Sequence, residues 1–362
     1  MAKSAVEVVG TAFEHTRKQL SEPFQPGQWL RLAVLGLATG EISSGGGCSN
    51  FRGLSQFPAH LPQHSDNFLE AGSGLPSLGL DPATIATLII VAIIGFLIAG
   101  LVFLYVSSVS RFMLFESVLR RHCELGESWD RWQGQGLRFF GWQLALAAIS
   151  LAVAAVLFLP LLIPVLAVLR SHREPDVALL LSFLPMVSAF LLFGLLILLI
   201  QVLAKDFVVP VMAIDDVGVL EGWQRVFGIM KSDPWAYAGY LGMKIILAIG
   251  AAVVFGILSG IVIVLTMIPV AIVAFVAVML VKGGGLGWNT FTITVLIVAG
   301  VLLLAALLYL VGIVCVPIAV FFPAYSIYFF AERYPALQVQ LHRMPQGPAP
   351  PPAFSPAPAP IG

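Results

Sequence analysis

The chain predicts an all-α, polytopic transmembrane bundle of about six spans. The spans form three repeated hairpins, each preceded by a cytoplasmic amphipathic interfacial helix. Three observations carry this reading. Of 362 residues, 59% are hydrophobic and only 10% charged, far below the roughly one quarter charged in soluble proteins. Several apolar runs reach the ~20 residues that cross a bilayer as a helix, and mean hydropathy is +0.96. Finally, a polar and aromatic pattern recurs at a spacing of 94 residues, from Glu127 to Glu221.

Residues 4–21 read as an amphipathic helix. Ala5, Val9, Ala12, Phe13, Thr16 and Leu20 share one face, and Glu14 and Lys18 pair on the other. Pro23 and Pro26 end it. The following run, Trp29 to Gly40, spans only if extended from Phe24 to Ser44 with Arg31 reaching the interface. A re-entrant or interfacial segment is the alternative. Residues 41–83 form a Gly-, Ser- and Pro-rich extracytoplasmic loop. Its His60, His64 and Asp66 lie close in sequence, but Pro62 breaks the helical spacing that metal ligation would use, so no metal site is assigned.

Asp81-Pro82 starts the next helix as a cap followed by proline. Its span runs from about Thr84 to Ser108. The first polar block, 111–141, interleaves Arg111, Arg120, Arg121, Arg131 and Arg138 with Phe112, Phe115, Trp129 and Trp132. Beside a membrane this pattern reads as helices lying among headgroups. Phe139 to Leu169 and Val177 to Ala204 are the next two spans, Pro160 and Pro164 kinking the first.

The second polar block is Lys205 to Trp235. Asp215 and Asp216 are read as caps of the helix carrying Trp223, and Ser232-Asp233-Pro234 launches the next span. The apolar run Trp235 to Val281 has 47 residues, too many for one span, so a break is placed at Pro269. Two tight spans are the alternative. A last span runs from about Thr290 to Phe321. An aromatic belt follows to Tyr334, and 344–362 is a Pro/Ala-rich disordered tail.

The repeat aligns Glu127, Trp129 and Arg131 with Glu221, Trp223 and Arg225. Glu and Arg stand four apart in both, the favourable order for a helical pair. Leu220, Trp223, Phe227 and Met230 form an apolar stripe beside the second pair. The hairpins are taken as 4–109, 110–204 and 205–334 within one membrane domain, 1–343. Under six spans one face holds 14 Lys/Arg and the other 4, which puts both termini in the cytoplasm.

Net charge is zero, which argues against nucleic acid. Cys48, Cys123 and Cys315 show no CxxC spacing and suggest neither a disulfide framework nor zinc. Lys244, alone within a span, is the main candidate for a functional charge. Its long side chain also suits snorkelling towards the cytoplasmic side. Ala248, Ala252, Gly256 and Gly260 make a small-residue ladder for close helix packing, within the bundle or in a homo-oligomer. No phosphate loop, nucleophile elbow or HExxH is present, so no catalytic residue or cofactor is assigned.

On AFEHTRKQLSEPFQPGQWLRL (12–32), SRFMLFESVLRRH (110–122), KDFVVPVMAIDDVGVLEGWQRVFGIMKSDPW (205–235) and FFPAYSIYFF (321–330) the chain resembles a group of uncharacterised bacterial polytopic membrane proteins. These are similar to the membrane domain of some glycerophosphodiester phosphodiesterases. The phosphodiesterase catalytic domain has no counterpart here. The resemblance implies six spans and no reaction. The expectation is therefore a non-enzymatic scaffold or accessory in envelope or lipid homeostasis, with the bilayer and a membrane-protein partner as its contacts. A transporter or channel with a site near Lys244 is the alternative.

Overall fold

The computed structural model describes residues 4–22, 25–41, 82–171, 177–283 and 290–343. Its regular elements are all helical: α1 (Ala5–Ser21), α2 (Pro26–Thr39), α3 (Pro82–Arg120), α4 (Leu125–Ser171), α5 (Val177–Leu203), a π turn (Ala204–Val208), α6 (Val209–Asp215), α7 (Val219–Ser232), α8 (Pro234–Gly283), α9 (Thr290–Val314), α10 (Val316–Ala331) and α11 (Pro335–Arg343). The interior of the loop expected at 41–83, with His60, His64 and Asp66, lies outside the described residues, as does the tail.

The helices divide into a packed collar and a splayed apolar part. Helix α3 passes through both. Its Phe96 is 80% exposed, whereas Phe112 is fully buried. The collar core gathers α1, the second half of α3, the π turn with α6, the start of α8, and α10. Aromatic rings fill its centre. Phe207 lies 5.1 Å from both Tyr237 and Tyr240, and Tyr240 stacks on Tyr325 at 5.0 Å. Such ring pairs contribute about 0.5–1.5 kcal/mol each beyond area burial. Away from the collar, α3, α4, α5 and α8 expose row upon row of Ile, Leu and Val, a surface suited to lipid chains rather than water.

Among the described residues, four helices are long and apolar enough to cross a membrane, or five if the bent pair α9–α10 counts as one span. That pair turns by 50° at Cys315, where Pro317 follows and cannot extend the α9 ladder. Six spans are not reached among the described residues. Helix α2 has 14 residues, about 21 Å at 1.5 Å per residue, against a hydrocarbon core of about 30 Å.

Several local expectations hold. Helix α1 falls within the expected 4–21, opened by a Ser4–Glu7 capping box that the sequence reading did not name, and Glu14 pairs with Lys18 at 2.7 Å. Helix α8 starts at Pro234, where the Asp233 carboxylate accepts the Ala236 amide at 3.3 Å.

Others are corrected. The buried face of α1 is Val8, Ala12, His15, Thr16, Gln19 and Leu20, while Phe13 is 64% exposed. Residues 110–120 and 125–138 are no separate interfacial helix; they complete α3 and begin α4. The boundary placed at 110 therefore cuts a continuous helix, and the one at 205 cuts the π turn. Pro269 lies within α8 and does not end it. Helix α7 is capped by Gly218, not by Asp215 or Asp216. Cys123 is a free buried thiol, but Cys315 is disulfide-bonded, against the expectation of no bridge.

Candidate functional site

The π turn organises a cluster of charges beneath the collar. Pro210 lacks the N–H that would bond the Asp206 carbonyl, and its ring crowds that carbonyl. The ladder widens instead, and the Val209 amide reaches back five residues to the Ala204 carbonyl. Such π turns are frequent at functional sites. Here the turn holds Lys205 and Asp206 inside.

Each finds an opposite charge from a distant helix. Lys205 Nζ lies 2.8 Å from Glu41 Oε1, just past the end of α2. Lys244 Nζ, from α8, donates to Asp206 Oδ2. Tyr240, one turn before Lys244, donates its hydroxyl to the same oxygen at 3.0 Å. The ammonium also sits 5.9 Å above the Tyr240 ring and 6.0 Å above that of Phe322. Lys244 therefore does not snorkel. It is drawn inward by a carboxylate, with aromatic faces supporting its charge.

Arg111 of α3 completes the group. Its guanidinium carbon lies 5.7 Å from the Phe139 ring centroid, and its buried Nε has no hydrogen-bond partner. Lys244 is ten residues from the start of α8 and Arg111 nine from the end of α3, so both lie about 13–15 Å along their helices. The small cavity between Glu41, Arg111, Lys205, Asp206, Pro323 and Ser326 is about 30 Å³, room for roughly one or two waters.

A second charged layer lies in the collar itself. Arg131 donates to Glu127 at 2.9 Å and also to Glu116 of α3. Glu116 is buried, and it also accepts from Trp132 Nε1 at 2.6 Å and pairs with Arg120 at 3.1 Å. Arg225 repeats the arrangement, donating to Glu221 at 2.6 Å and to Asp215 of α6. Tyr334 donates to Asp215 as well. The two polar blocks meet at Asp216, which accepts from Gln135 and lies 3.7 Å from Arg138.

Trp129 packs edge-on to Tyr105 at 6.0 Å, and Trp223 stacks on Phe227 at 5.1 Å and approaches Trp142 at 6.1 Å. The stripe Leu220, Trp223, Phe227 and Met230 is not the buried face of α7, since Leu220 is 74% and Phe227 49% exposed. Val219, Gly222 and Val226 face inward.

The small-residue ladder stands apart from both layers. Gly256 is buried while Ala248, Ala252 and Gly260 are partly so. A Cβ at Gly260 would meet nothing within 4 Å, so the ladder leaves space there. Close approach occurs elsewhere, at Gly136 against Val109 and at Gly222 against Val208.

One histidine ties α1 to this frame. His15 Nε2 donates to the Val118 carbonyl at 3.0 Å, which leaves Nδ1 to accept from the Tyr328 hydroxyl at 3.0 Å. Burial pushes its pKa down to about 4. Sequence reasoning flagged Lys244. It missed Glu41, Glu116 and His15 as partners.

No curated protein and no solved structure matches the chain. The similarity to phosphodiesterase membrane domains therefore finds no support. The model described as "Family of unknown function (DUF7544)" matches residues 3–340, and the chain belongs to that family.

Proposed function

We propose that this is a non-enzymatic, multi-pass protein of a bacterial inner membrane, acting as a scaffold or accessory in envelope or lipid homeostasis. The observation that carries this is the buried cluster. Its two carboxylates are each answered by a lysine, and its cavity is about 30 Å³. Such an arrangement clamps α2, the π turn and α8 together; it is not a chamber for a reacting substrate. The collar then stands on the cytoplasmic side, as the Lys/Arg bias suggests. The exposed Leu220–Phe227 stripe of α7, flanked by Arg225 and Lys231, suits the headgroup layer.

Six crossings remain our reading of the topology. At its start α2 sits beside the end of α3, with Gln28 Nε2 donating to the Arg121 carbonyl and Arg31 to that of Cys123. The chain next enters a described helix at Pro82, the opposite end of α3, about 58 Å from Arg120 by helical rise. The separation of those two ends supports a crossing in the first hairpin. Reporters fused after residues 60, 173 and 286 should read outside, and after 125, 220 and 350 inside. An inside signal at 60 removes the first hairpin.

The scaffold role is tested by affinity purification of the full chain from membranes in mild detergent. A stoichiometric membrane-protein partner, or a second copy, is expected. Reproducible recovery as a partnerless monomer would overturn it. A transporter built on Lys244 has less behind it, because Asp206 and Tyr240 already occupy that ammonium. Proteoliposome flux abolished by Lys244→Ala would reinstate it.

A further inference from the structure

Arg111 is the one charge in the buried cluster without a carboxylate in ion-pair distance among the described residues. Glu41 answers Lys205 and Asp206 answers Lys244, so the five groups together carry one excess positive charge when ionised. A guanidinium placed well inside a membrane helix bundle costs several kcal/mol unless an anion or an acceptor answers it. Its Nε is buried and unpartnered.

Arg111 also lines a second, larger space. A cleft of about 540 Å³ lies between α3, α4 and α5. At one end Arg111, Gln143 and Gln201 supply polar groups. Gln143 Oε1 already accepts from Ser108 at 2.7 Å, which leaves its amide N–H groups to donate. Away from that end the walls are apolar but for Ser150, whose hydroxyl donates to the Leu146 carbonyl of its own helix, and they include Leu146, Leu151, Phe193 and Ile197. On α4 the lining runs from Gln143 to Ala154, about 16 Å of helix. The volume falls in the usual range for small-molecule sites, ~300–1,000 Å³. The cleft is therefore amphipathic in one direction, with a cation at the collar end and hydrocarbon beyond. Basic pockets between membrane helices on the cytoplasmic side suit anionic headgroups.

We propose that this cleft holds one anionic phospholipid of the surrounding bilayer, with its phosphate against Arg111 and an acyl chain along α4 and α5. Charge complementarity selects this occupant over a zwitterionic lipid. The apolar walls select it over a free anion. The inference is independent of the scaffold role: a chain without protein partners can hold the lipid, and a scaffold can lack it.

The test is native mass spectrometry and thermal melting of the full chain in detergent. The added probes are phosphatidylglycerol, phosphatidylcholine or inorganic phosphate. Wild type should retain one phosphatidylglycerol per chain, with an apparent affinity at least about tenfold above phosphatidylcholine, the scale of one lost charge-assisted contact. Arg111→Gln should erase that preference, and Arg111→Lys should keep part of it. Ala147→Trp, which fills the cleft and leaves Arg111 in place, should lower retention of both lipids. It also decides the matter if Arg111→Gln does not fold. Arg120→Gln, in the collar, should leave the preference unchanged. Equal retention of the two lipids by wild type, or full retention by Ala147→Trp, would overturn the proposal. So would stabilisation by inorganic phosphate alone equal to that by phosphatidylglycerol.

Discussion

The two polar blocks, 111–141 and 205–235, share a local pattern and differ in what the backbone does with it. In both, an arginine joins a glutamate four residues earlier to a carboxylate on the preceding helix. In both, the chain reverses through a left-handed non-glycine residue, Arg121 or Asp216. There the likeness ends. The first block is two long helices meeting at a short turn, and α4 runs on for 47 residues. The second is cut into a π turn, α6, α7 and α8. A repeated surface motif thus says little about the continuity of the helix beneath. Continuity is decided by backbone details such as Pro210 and Pro234, which the first block lacks.

Four experiments break or sharpen this comparison. The largest effect is expected in the second block, whose π turn exposes two charges to a buried setting. Lys244→Met leaves the Asp206 carboxylate without its cation and should cost about 3–5 kcal/mol. Lys244→Met combined with Asp206→Asn should recover much of that, read as melting temperature in detergent. A double variant no better than the single one would mean the pair is not what the substitution disturbs.

Next is proton sensitivity, which attaches to the first block through His15 and Val118. The folded pKa, about 4, lies below the ordinary 6.5. The stabilisation is therefore complete above pH 6.5 and is lost as pH falls from 6.5 through 4, by up to about 3 kcal/mol. His15→Gln should flatten melting temperature across that window. An unchanged slope would remove His15 as the cause.

Third are the two close approaches. A Cβ at Gly136 would stand 2.5 Å from Val109 Cγ2 and 2.9 Å from Val109 Cα, and the backbone atom cannot step aside. Gly136→Ala should cost about 1–3 kcal/mol. At Gly222 the nearest atom is Val208 Cγ1 at 3.0 Å, a side-chain carbon, so Gly222→Ala should cost less. The reverse order would show that the π turn is the more rigid neighbour. The smallest effects belong to the shared motif itself. Glu127→Gln and Glu221→Gln, both at exposed pairs, should each move melting by no more than about 1 °C. A large drop from either would show that the pair holds more than a helix surface.

Composition and local spacing made the class, the two Glu–Arg pairs and the Pro234 helix start legible, because each depends on neighbours in sequence. Burial was less legible. On α1 the more apolar Phe13 points out while His15 points in, since Val118 and Tyr328 offer it partners 103 and 313 residues away. The cluster was hidden for the same reason. Lys244 invites a search for a carboxylate, but nothing local selects Asp206, and Glu41 sits at the edge of a glycine-rich stretch. The continuity of α3 and α4 was misread because charge was taken as a mark of helix ends. At a membrane boundary charge marks a change of solvent, and the helix passes through it.

That continuity has a mechanical consequence. Helix α4 runs without a proline from Leu125 to Leu159, about 50 Å by helical rise, with Glu127 in the collar and Gln143 to Ala154 lining the cleft. A tilt imposed at the collar end must swing the cleft wall with it, whereas the interruptions at Asp216 and Asp233 let α7 turn without taking α8 along. The molecule therefore has one stiff lever and one jointed arm, and the lever, like α3, links the collar to the space among the spans.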